Sequence, residues 1–530
     1  MARYSILTPV YDPPEDVLRA CLDSVAAQGF ADWEHCLVDD ASTAPHVARV
    51  LEEYATRDRR FRVLRRPANG GIIAASQDAL GLATGEFVVL LDHDDLLTPD
   101  ALEQVDLVAS TDPTLDYCYS DEDYLTPEGD LVNPFYKPDW SPERFRSQMY
   151  TGHLSVARRS LVEEVGGFRP GYDGSQDYDL VLRVTERARS IRHIPKVLYH
   201  WRILPASVAH NADAKPWAYE AGRRALEDHC ARTGRRATVT DGAVPGVYRV
   251  QRVLDHEPLV SVVIPTRGSR ARVWGVERCF VVEAVRSLVE RARYQNLEIV
   301  CVVDRPTPPE VIAELERLAG DRLVLVWYDR PFNFSEKMNL GVAHATGELL
   351  LLLNDDVEVE SPDFVETMVG LLQEDDVAMV GAKLLFGDGR LQHAGHVYNG
   401  DPYHAYFGYP ADHLGASSVL ACQRETSGVT AACALVKLSV WDEVGGMTPE
   451  LAGNFNDVDF SLKIRSRGYR ILWTPFAVLY HFESMTRDPF VSPEELRVIR
   501  DRWATPLRND PYYNPNLEPL RDDWMERPLR

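Results

Sequence analysis

The sequence predicts an α/β fold laid down twice in tandem. Three observations predict it. Short apolar segments alternate with amphipathic ones, the apolar segments are uninterrupted, and five short blocks recur in the same order in both halves of the 530 residues. Strand–helix alternation with continuous apolar strands implies a mostly parallel sheet covered on both faces. Ligands of such sheets sit beyond the carboxyl ends of the strands.

The first copy opens on an apolar strand at residues 4–10. Pro13 and Pro14 then start a helix with Leu18, Leu22 and Val25 on one face, the spacing of a core stripe. Further strands are expected at 35–38, 61–64 and 87–91, with a helix at 71–83 between the last two. Residues 215–233 read as an amphipathic helix stopped by Gly234. Residues 237–240 and 247–250 read as a β pair around the Asp241-Gly242 turn.

The recurring blocks establish the duplication. Ser5-Ile6-Leu7-Thr8-Pro9 resembles Val262-Val263-Ile264-Pro265-Thr266, and Ala83-Thr84-Gly85-Glu86 recurs as Ala345-Thr346-Gly347-Glu348. Val165-Gly166-Gly167-Phe168 recurs as Val444-Gly445-Gly446-Met447. Gln176-Asp177-Tyr178-Asp179-Leu180 matches Asn456-Asp457-Val458-Asp459-Phe460, and Leu198-Tyr199-His200 matches Leu479-Tyr480-His481. One such match arises by chance; five in series mark a repeat. The expected division is a first domain at 1–207, a helical and β linker at 208–257, a second domain at 258–485, and a tail at 486–530 packing on the second domain.

Composition excludes several classes. A net charge of −24 argues against a nucleic-acid partner held through phosphates and against simple anchoring to acidic lipids. Two arginine-rich stretches, 57–66 and 223–236, read first as solvated faces and second as docking points near anionic headgroups. The eight cysteines form no CxxC pair, which fits buried, reduced thiols. The first strand begins almost at Met1, so no signal peptide is expected, and the longest aliphatic run, 349–353, is far short of the ~18 residues a membrane span needs. A cytoplasmic protein is expected, docked at most peripherally on the inner face of the plasma membrane.

The chemistry-bearing residues fall at strand ends. Asp92-His93-Asp94-Asp95 directly follows an apolar strand, and acids so crowded repel one another unless a cation is near. Oxygen ligands of this kind suit Mg²⁺ or Mn²⁺ bridging to phosphate. The bland alternative is a solvated acidic turn before the next helix. Register from Gly85 and Gly347 aligns Asp92 with Asn354 and Asp94 with Asp356, so the second copy keeps the last acid and replaces the first by an amide. Asp177 and Asp457 each start a helix, where the macrodipole favours acids, and each also has the placement of a general base. Their companions Asp179 and Asp459 read as structural partners. His200 and His481 end the duplicated Leu-Tyr-His strand and offer imidazoles to a metal. His393, His396, His404 and His413 lack a repeated counterpart, and their spacing fits no standard zinc pattern, so they read as acceptor-cleft lining or surface.

This ordered set resembles glycosyltransferase family 2, the inverting enzymes of the GT-A fold. In the first copy it rests on Thr8-Pro9-Val10-Tyr11, Val38-Asp39-Asp40, Asn69-Gly70-Gly71, Asp92-His93-Asp94, Gln176-Asp177 and His200. In the second it rests on Ile264-Pro265-Thr266, Asp304, Phe332-Asn333-Phe334-Ser335, Asn354-Asp355-Asp356, Asn456-Asp457 and His481. The pattern is most similar to two-domain enzymes of bacterial O-antigen, capsule and rhamnan assembly, whose tails resemble residues 510–515.

The resemblance implies two tandem GT-A domains, a nucleotide-diphospho-sugar transferase fold of Rossmann-like type. It implies that Pro9, Tyr11, Asp39, Asp40 and Asn69, with Asp92 and His93, bind the nucleotide sugar in the first copy. Pro265, Arg267, Asp304, Asn354 and Asp355 would do so in the second. Asp94, His200, Asp356 and His481 would hold Mn²⁺ or Mg²⁺, and Asp177 and Asp457 would deprotonate the acceptor.

The expected function is transfer of a sugar from a dTDP- or UDP-linked donor, dTDP-rhamnose among them, to a hydroxyl of a lipid-linked or nascent bacterial surface polysaccharide, from two active sites. The alternatives are one active domain with a degenerate acceptor-binding partner, and a non-enzymatic sugar- or nucleotide-binding protein. A sugar nucleotidyltransferase should carry a glycine-rich phosphate loop after the first strand, where Tyr11-Asp12-Pro13-Pro14 stands instead.

Overall fold

The computed structural model describes residues 2–204, 216–482 and 491–527. The chain forms two compact units. The first comprises residues 1–140, 148–248 and 514–516, and the second residues 141–147, 249–513 and 517–530. The expected boundaries at 207/208 and 485/486 fall outside the described residues. The segment expected as a linker forms a helix and a strand pair. Its helix Pro216–Arg232 and its paired strands Ala237–Asp241 and Tyr248–Arg252 begin in the first unit, which runs to Tyr248.

The first unit is built on a nine-stranded sheet. Eight strands run in the order Phe61–Arg65, Trp33–Asp39, Tyr4–Val10, Phe87–Leu90, Ser155–Arg158, Leu115–Leu125, Ser190–Arg202 and Leu96–Leu97, and the ninth, Leu131–Phe135, pairs with Leu115–Leu125 off this path. The first four strands are parallel, as their unbroken apolar runs predict. The remainder is mixed: Ser155–Arg158 runs antiparallel to both neighbours. The sequence reading of a mostly parallel sheet therefore describes the half from Phe61–Arg65 to Phe87–Leu90 and not the other. The helix Glu15–Ala26 turns Leu18, Cys21, Leu22 and Val25 onto the sheet, all fully buried. Gly85 lets two backbones close up, since a Cβ there would lie 2.8 Å from Ser5 N.

The second unit repeats this order strand for strand: Leu323–Tyr328, Leu297–Asp304, Val260–Thr266, Leu349–Leu353, Cys433–Lys437, Val377–Leu385, Arg470–His481 and Val357–Val359. Gly347 makes the same close approach, to Leu259 O and Ser261. Two antiparallel ribbons without a counterpart among the described residues of the first unit are added, Arg270–Val273 with Val276–Cys279, and His396–Tyr398 with Pro402–His404. The tail is divided. The helix Pro493–Trp503, opened by a capping box at Ser492, belongs to the second unit. Asn514 belongs to the first, where its side-chain amide donates to both Asp121 oxygens at 3.0 Å.

All eight cysteines are buried and free, the state expected of structural thiols. Among the described residues, no helix is long and apolar enough to cross a membrane.

Candidate active sites

In each unit the parallel strands end on one edge. In the first, the register pairs Val10 with Asp39, and the strand Phe87–Leu90 beside it runs on into Asp92. Asp39 is buried, accepts a hydrogen bond from Ser42 N at 2.8 Å and faces Arg65 at 3.2 Å. Asp40 serves the loop: it pairs with Arg66 at 2.6 Å and accepts the backbone N–H groups of Gly70 and Gly71. Asn69 accepts from Gly71 N at 3.2 Å. His93 Nδ1 donates to the Pro9 carbonyl at 3.1 Å, which ties the acidic turn to the first strand. Tyr11 is half exposed at the mouth.

The four-residue acidic turn divides by role. Asp95 is fully buried and held by Tyr199 Oη at 2.6 Å and Arg202 N at 2.7 Å, so it fastens the turn to the Ser190–Arg202 strand. Burial, then the charges of Asp94 and Asp92, push the Asp95 carboxyl well above its ordinary range. Burial and the Asp94 charge raise Asp92 likewise. A histidine that sequence reasoning missed answers this charge. His153 stacks on Tyr199 at 4.4 Å, and one ligating atom each of Asp92, Asp95 and His153 lie within 4.8 Å of one another. Burial alone would keep His153 neutral, but Glu122 with Asp95 and Asp92 raises it to about 9, so it stands there as a cation.

Asp177 starts the helix Gln176–Thr185 and accepts the Tyr178 N–H at 2.8 Å. Burial raises its carboxyl, and the charge of His153 opposes that rise. Asp177 in turn raises Asp92, so acid cluster and candidate base share one crevice. Asp179 is the structural partner expected of it, fully buried between Arg169 and Arg183. His200 lies opposite Leu96 in the sheet, and its Nδ1 is 2.5 Å from Asp123 Oδ1. Among the described contacts its partner is thus Asp123 rather than Asp94.

The second unit reproduces the frame with different chemistry. His481 Nε2 lies 3.1 Å from both Asn354 Nδ2 and Asp356 Oδ1, while its Nδ1 meets Gln392 Oε1 at 2.6 Å. Asp355 accepts the Thr266 hydroxyl at 2.6 Å, and burial with the Asp356 charge lifts it to about 7. Asp457 accepts the Val458 N–H at 2.8 Å, the same arrangement as Asp177. Asp459 is buried against Thr448, Arg502 and Trp503. Arg267 is exposed and donates to Ser269, beside the buried Pro265. Lys337, which sequence reasoning did not single out, is buried and donates to Asp304 at 2.8 Å and to the Thr266 carbonyl at 3.0 Å. The register from Gly85 and Gly347 places Ala75 at the matching position of the first unit.

These residues fit a divalent cation. In the second unit Asn354 Oδ1 is buried without a hydrogen-bond partner, beside an imidazole nitrogen and a carboxylate. In the first, burial and the charge of Asp94 raise both Asp92 and Asp95. Oxygen with one nitrogen is the donor set of Mg²⁺ and Mn²⁺.

The fold is that of two tandem GT-A domains. The family model for Glycosyl transferase family 2 matches residues 5–166 and again 261–443. The chain belongs to that family. It is 43% identical to the uncharacterized protein y4gI of Sinorhizobium fredii, over 98% of this chain and 58% of that one. It is 39% identical to the O-antigen biosynthesis protein RfbC of Myxococcus xanthus, over 97% of this chain and 40% of that one. The chain therefore spans about half the length of these two relatives. A Pasteurella multocida chondroitin synthase is 30% identical over 37% of this chain and 20% of its own length. Among solved structures, S. aureus TarS 1–349 in complex with UDP-GlcNAc aligns at a TM-score of 0.36 with 20% identity, covering 43% of this chain and 66% of that one.

Proposed function

We propose that the chain is an inverting glycosyltransferase with two active sites, moving sugar from a dTDP- or UDP-linked donor to a hydroxyl of a growing bacterial surface polysaccharide. The observation that carries this reading is the helix-start aspartate Asp177, whose charge raises the strand-end Asp92 and so shares its crevice. In the second unit Asp457 starts the corresponding helix and accepts its neighbour's N–H as Asp177 does. Likeness over nearly the whole chain to an O-antigen biosynthesis protein supports the polymer class of acceptor.

Asp177 and Asp457 take the proton of the acceptor hydroxyl as its oxygen bonds to the anomeric carbon. The bond from that carbon to the nucleoside diphosphate breaks on the opposite face, and the diphosphate leaves with the electron pair. Burial, by raising Asp177, makes it a stronger base than an exposed carboxylate. Asp94 in the first unit, and Asp356 with His481 in the second, would hold a divalent ion that neutralises charge on the leaving diphosphate. His200, paired with Asp123, would be a further ligand of the first set. Asp39 and Asp304 orient the nucleoside, and the half-exposed Tyr11 covers it. The His153 cation holds Asp92 and Asp95 in place beside the donor.

A second reading has one specific observation in its favour. Lys337 occupies Asp304, and Asn354 replaces an acid, so the second unit would bind a different donor or only the acceptor. Product analysis with Asp177→Asn, Asp457→Asn and the double variant, on a panel of dTDP-, UDP- and GDP-sugars, separates the two. Loss of a different glycosidic bond in each single variant supports two active sites. Loss with Asp177→Asn alone leaves the second unit as a binding domain, and turnover of no donor refutes the transferase reading.

A further inference from the structure

The second unit holds a cluster of three histidines that the transfer chemistry does not use. His393 ends the strand Leu391–His393, which pairs with Val377–Leu385. His396 and His404 face each other as direct partners in the added antiparallel ribbon. Gly395 turns the chain between His393 and His396: its φ is +89°, and a Cβ there would meet Thr426 Oγ1 at 2.5 Å. The reversal brings His393 back over the ribbon. His393 and His396 are buried, contrary to a surface reading of these residues, and His404 is half-buried. His413 is not part of the group. Its Nδ1 accepts Gly415 N, and its ring packs on Tyr406 and Tyr409.

The geometry is convergent. The three ring centroids are 5.1, 4.9 and 5.1 Å apart, with planes at 78° to 87°, so edges rather than faces meet. One nitrogen of each ring lies within 4.8 Å of the other two. His393 Nδ1 and His404 Nδ1 are 2.8 Å apart. His396 Nδ1 is buried with no hydrogen-bond partner, an arrangement that costs about 1–3 kcal/mol unless something fills it. Two rings edge to edge with a third nitrogen left unmatched is poor design for a packed core and good design for a ligand set. Burial holds His393 and His396 below their ordinary range, so both offer neutral imidazoles.

We propose that His393, His396 and His404 form a binding site for a zinc-class transition metal ion, distinct from the acidic site at Asp356 and His481. A donor set of imidazoles alone selects Zn²⁺, Co²⁺, Ni²⁺ or Cu²⁺ over Mg²⁺ and Mn²⁺, which prefer oxygen. Three protein ligands leave a fourth position for water or an incoming oxygen. The cluster lies within electrostatic reach of Asp457 through His396 and of His481 through His393, which puts an ion there beside the second crevice. Thr430 N–H points at His393 Nε2 from 3.2 Å, so the apo ring carries its proton on Nδ1. Ligation through Nδ1 moves that proton to Nε2 and gives up this long hydrogen bond. The matching strand of the first unit, Leu131–Phe135, contains no histidine, so the site belongs to the second unit alone. The assignment rests on the ligand set and does not depend on the transferase reading.

The test is metal titration of the chelator-stripped full chain. With Co²⁺ as probe, the wild type should take up one equivalent that develops tetrahedral visible bands, displaced by one equivalent of Zn²⁺ but not by ~100-fold Mg²⁺ or Mn²⁺. The bands should persist in Asp356→Asn and His481→Ala and vanish in His396→Ala and His404→Gln. His404 is half-buried, so His404→Gln keeps a polar side chain there and reports even where His396→Ala fails to fold. Absence of the bands in the wild type, their loss only with Asp356 or His481, or their survival in both histidine variants overturns the proposal.

Discussion

Replacing Lys137 by methionine should weaken the first unit more than any surface change, and should do so through the candidate site. The Lys137 side chain is fully buried. Its ammonium donates to Glu122 Oε2 at 2.9 Å, to the Thr151 carbonyl at 2.7 Å and to the His153 carbonyl. Methionine keeps most of the volume and removes the charge, leaving Glu122 as a buried anion. Removing one partner of such a pair costs about 3–5 kcal/mol. Burial alone would raise Glu122, yet Lys137 and His153 outweigh it and hold the carboxyl at about 2. Its stabilisation is therefore complete above the ordinary carboxylate pKa and is lost as pH falls toward 2. His153, raised to about 9, contributes stability that is complete below its ordinary value and is lost as pH rises through 9. Each shift corresponds to roughly 3 kcal/mol, and the two share one contact, so they do not add. Urea unfolding from pH 3 to 10 is the assay, with imidazole NMR on His153. Lys137→Met should lower stability at pH 7 by about 3–5 kcal/mol and shift the acid limb upward, and Glu122→Gln in the same chain should restore part of the loss. A loss under about 1 kcal/mol with an unchanged acid limb would refute the reasoning.

Asp177→Asn should lower kcat by about 10²–10⁴-fold with donor affinity retained, measured by nucleoside diphosphate release. In the wild type the acid limb of that rate should lie above the range of an exposed carboxylate, since burial raises Asp177. Chelation should abolish release and Mn²⁺ or Mg²⁺ restore it, whereas Asp356→Asn should remove metal response only from the bond made by the second unit. Lys337→Met should cost about 1–3 kcal/mol in urea unfolding, from loss of the charge-assisted bond to Asp304, and leave the first unit's product unchanged. Gly85→Ala and Gly347→Ala should each cost about 1–3 kcal/mol in thermal or urea unfolding, because the new methyl meets backbone that cannot yield.

The parallel halves of both sheets were readable because their information is local. Unbroken apolar runs such as Leu349–Leu353, entirely buried, can only be central strands, and the helices between them carry their own stripes. The strand Leu115–Leu125 was not readable. Its acids look solvated in sequence, yet Asp116, Asp121, Glu122 and Asp123 are paired by Arg158 with Arg189, by His193, by Lys137 and by His200. Those partners lie up to 77 residues away, beyond any periodicity. His153 was passed over for the same reason: nothing beside it in the chain marks it, and its role comes from Glu122 and Tyr199 across the sheet.

By itself, then, the sequence determined the duplication, the α/β class, the family and the acids at the strand ends, all of which are written as short contiguous patterns repeated twice. Tertiary structure alone decided which charges meet. It set His153 as the counter-charge of Asp92 and Asp95, gave His200 to Asp123, seated Lys337 on Asp304 and gathered His393, His396 and His404 into one cluster. The physical reason is range: backbone pattern is governed by neighbours in the chain, whereas the state of a buried charge is governed by whatever the fold brings within a few ångströms of it.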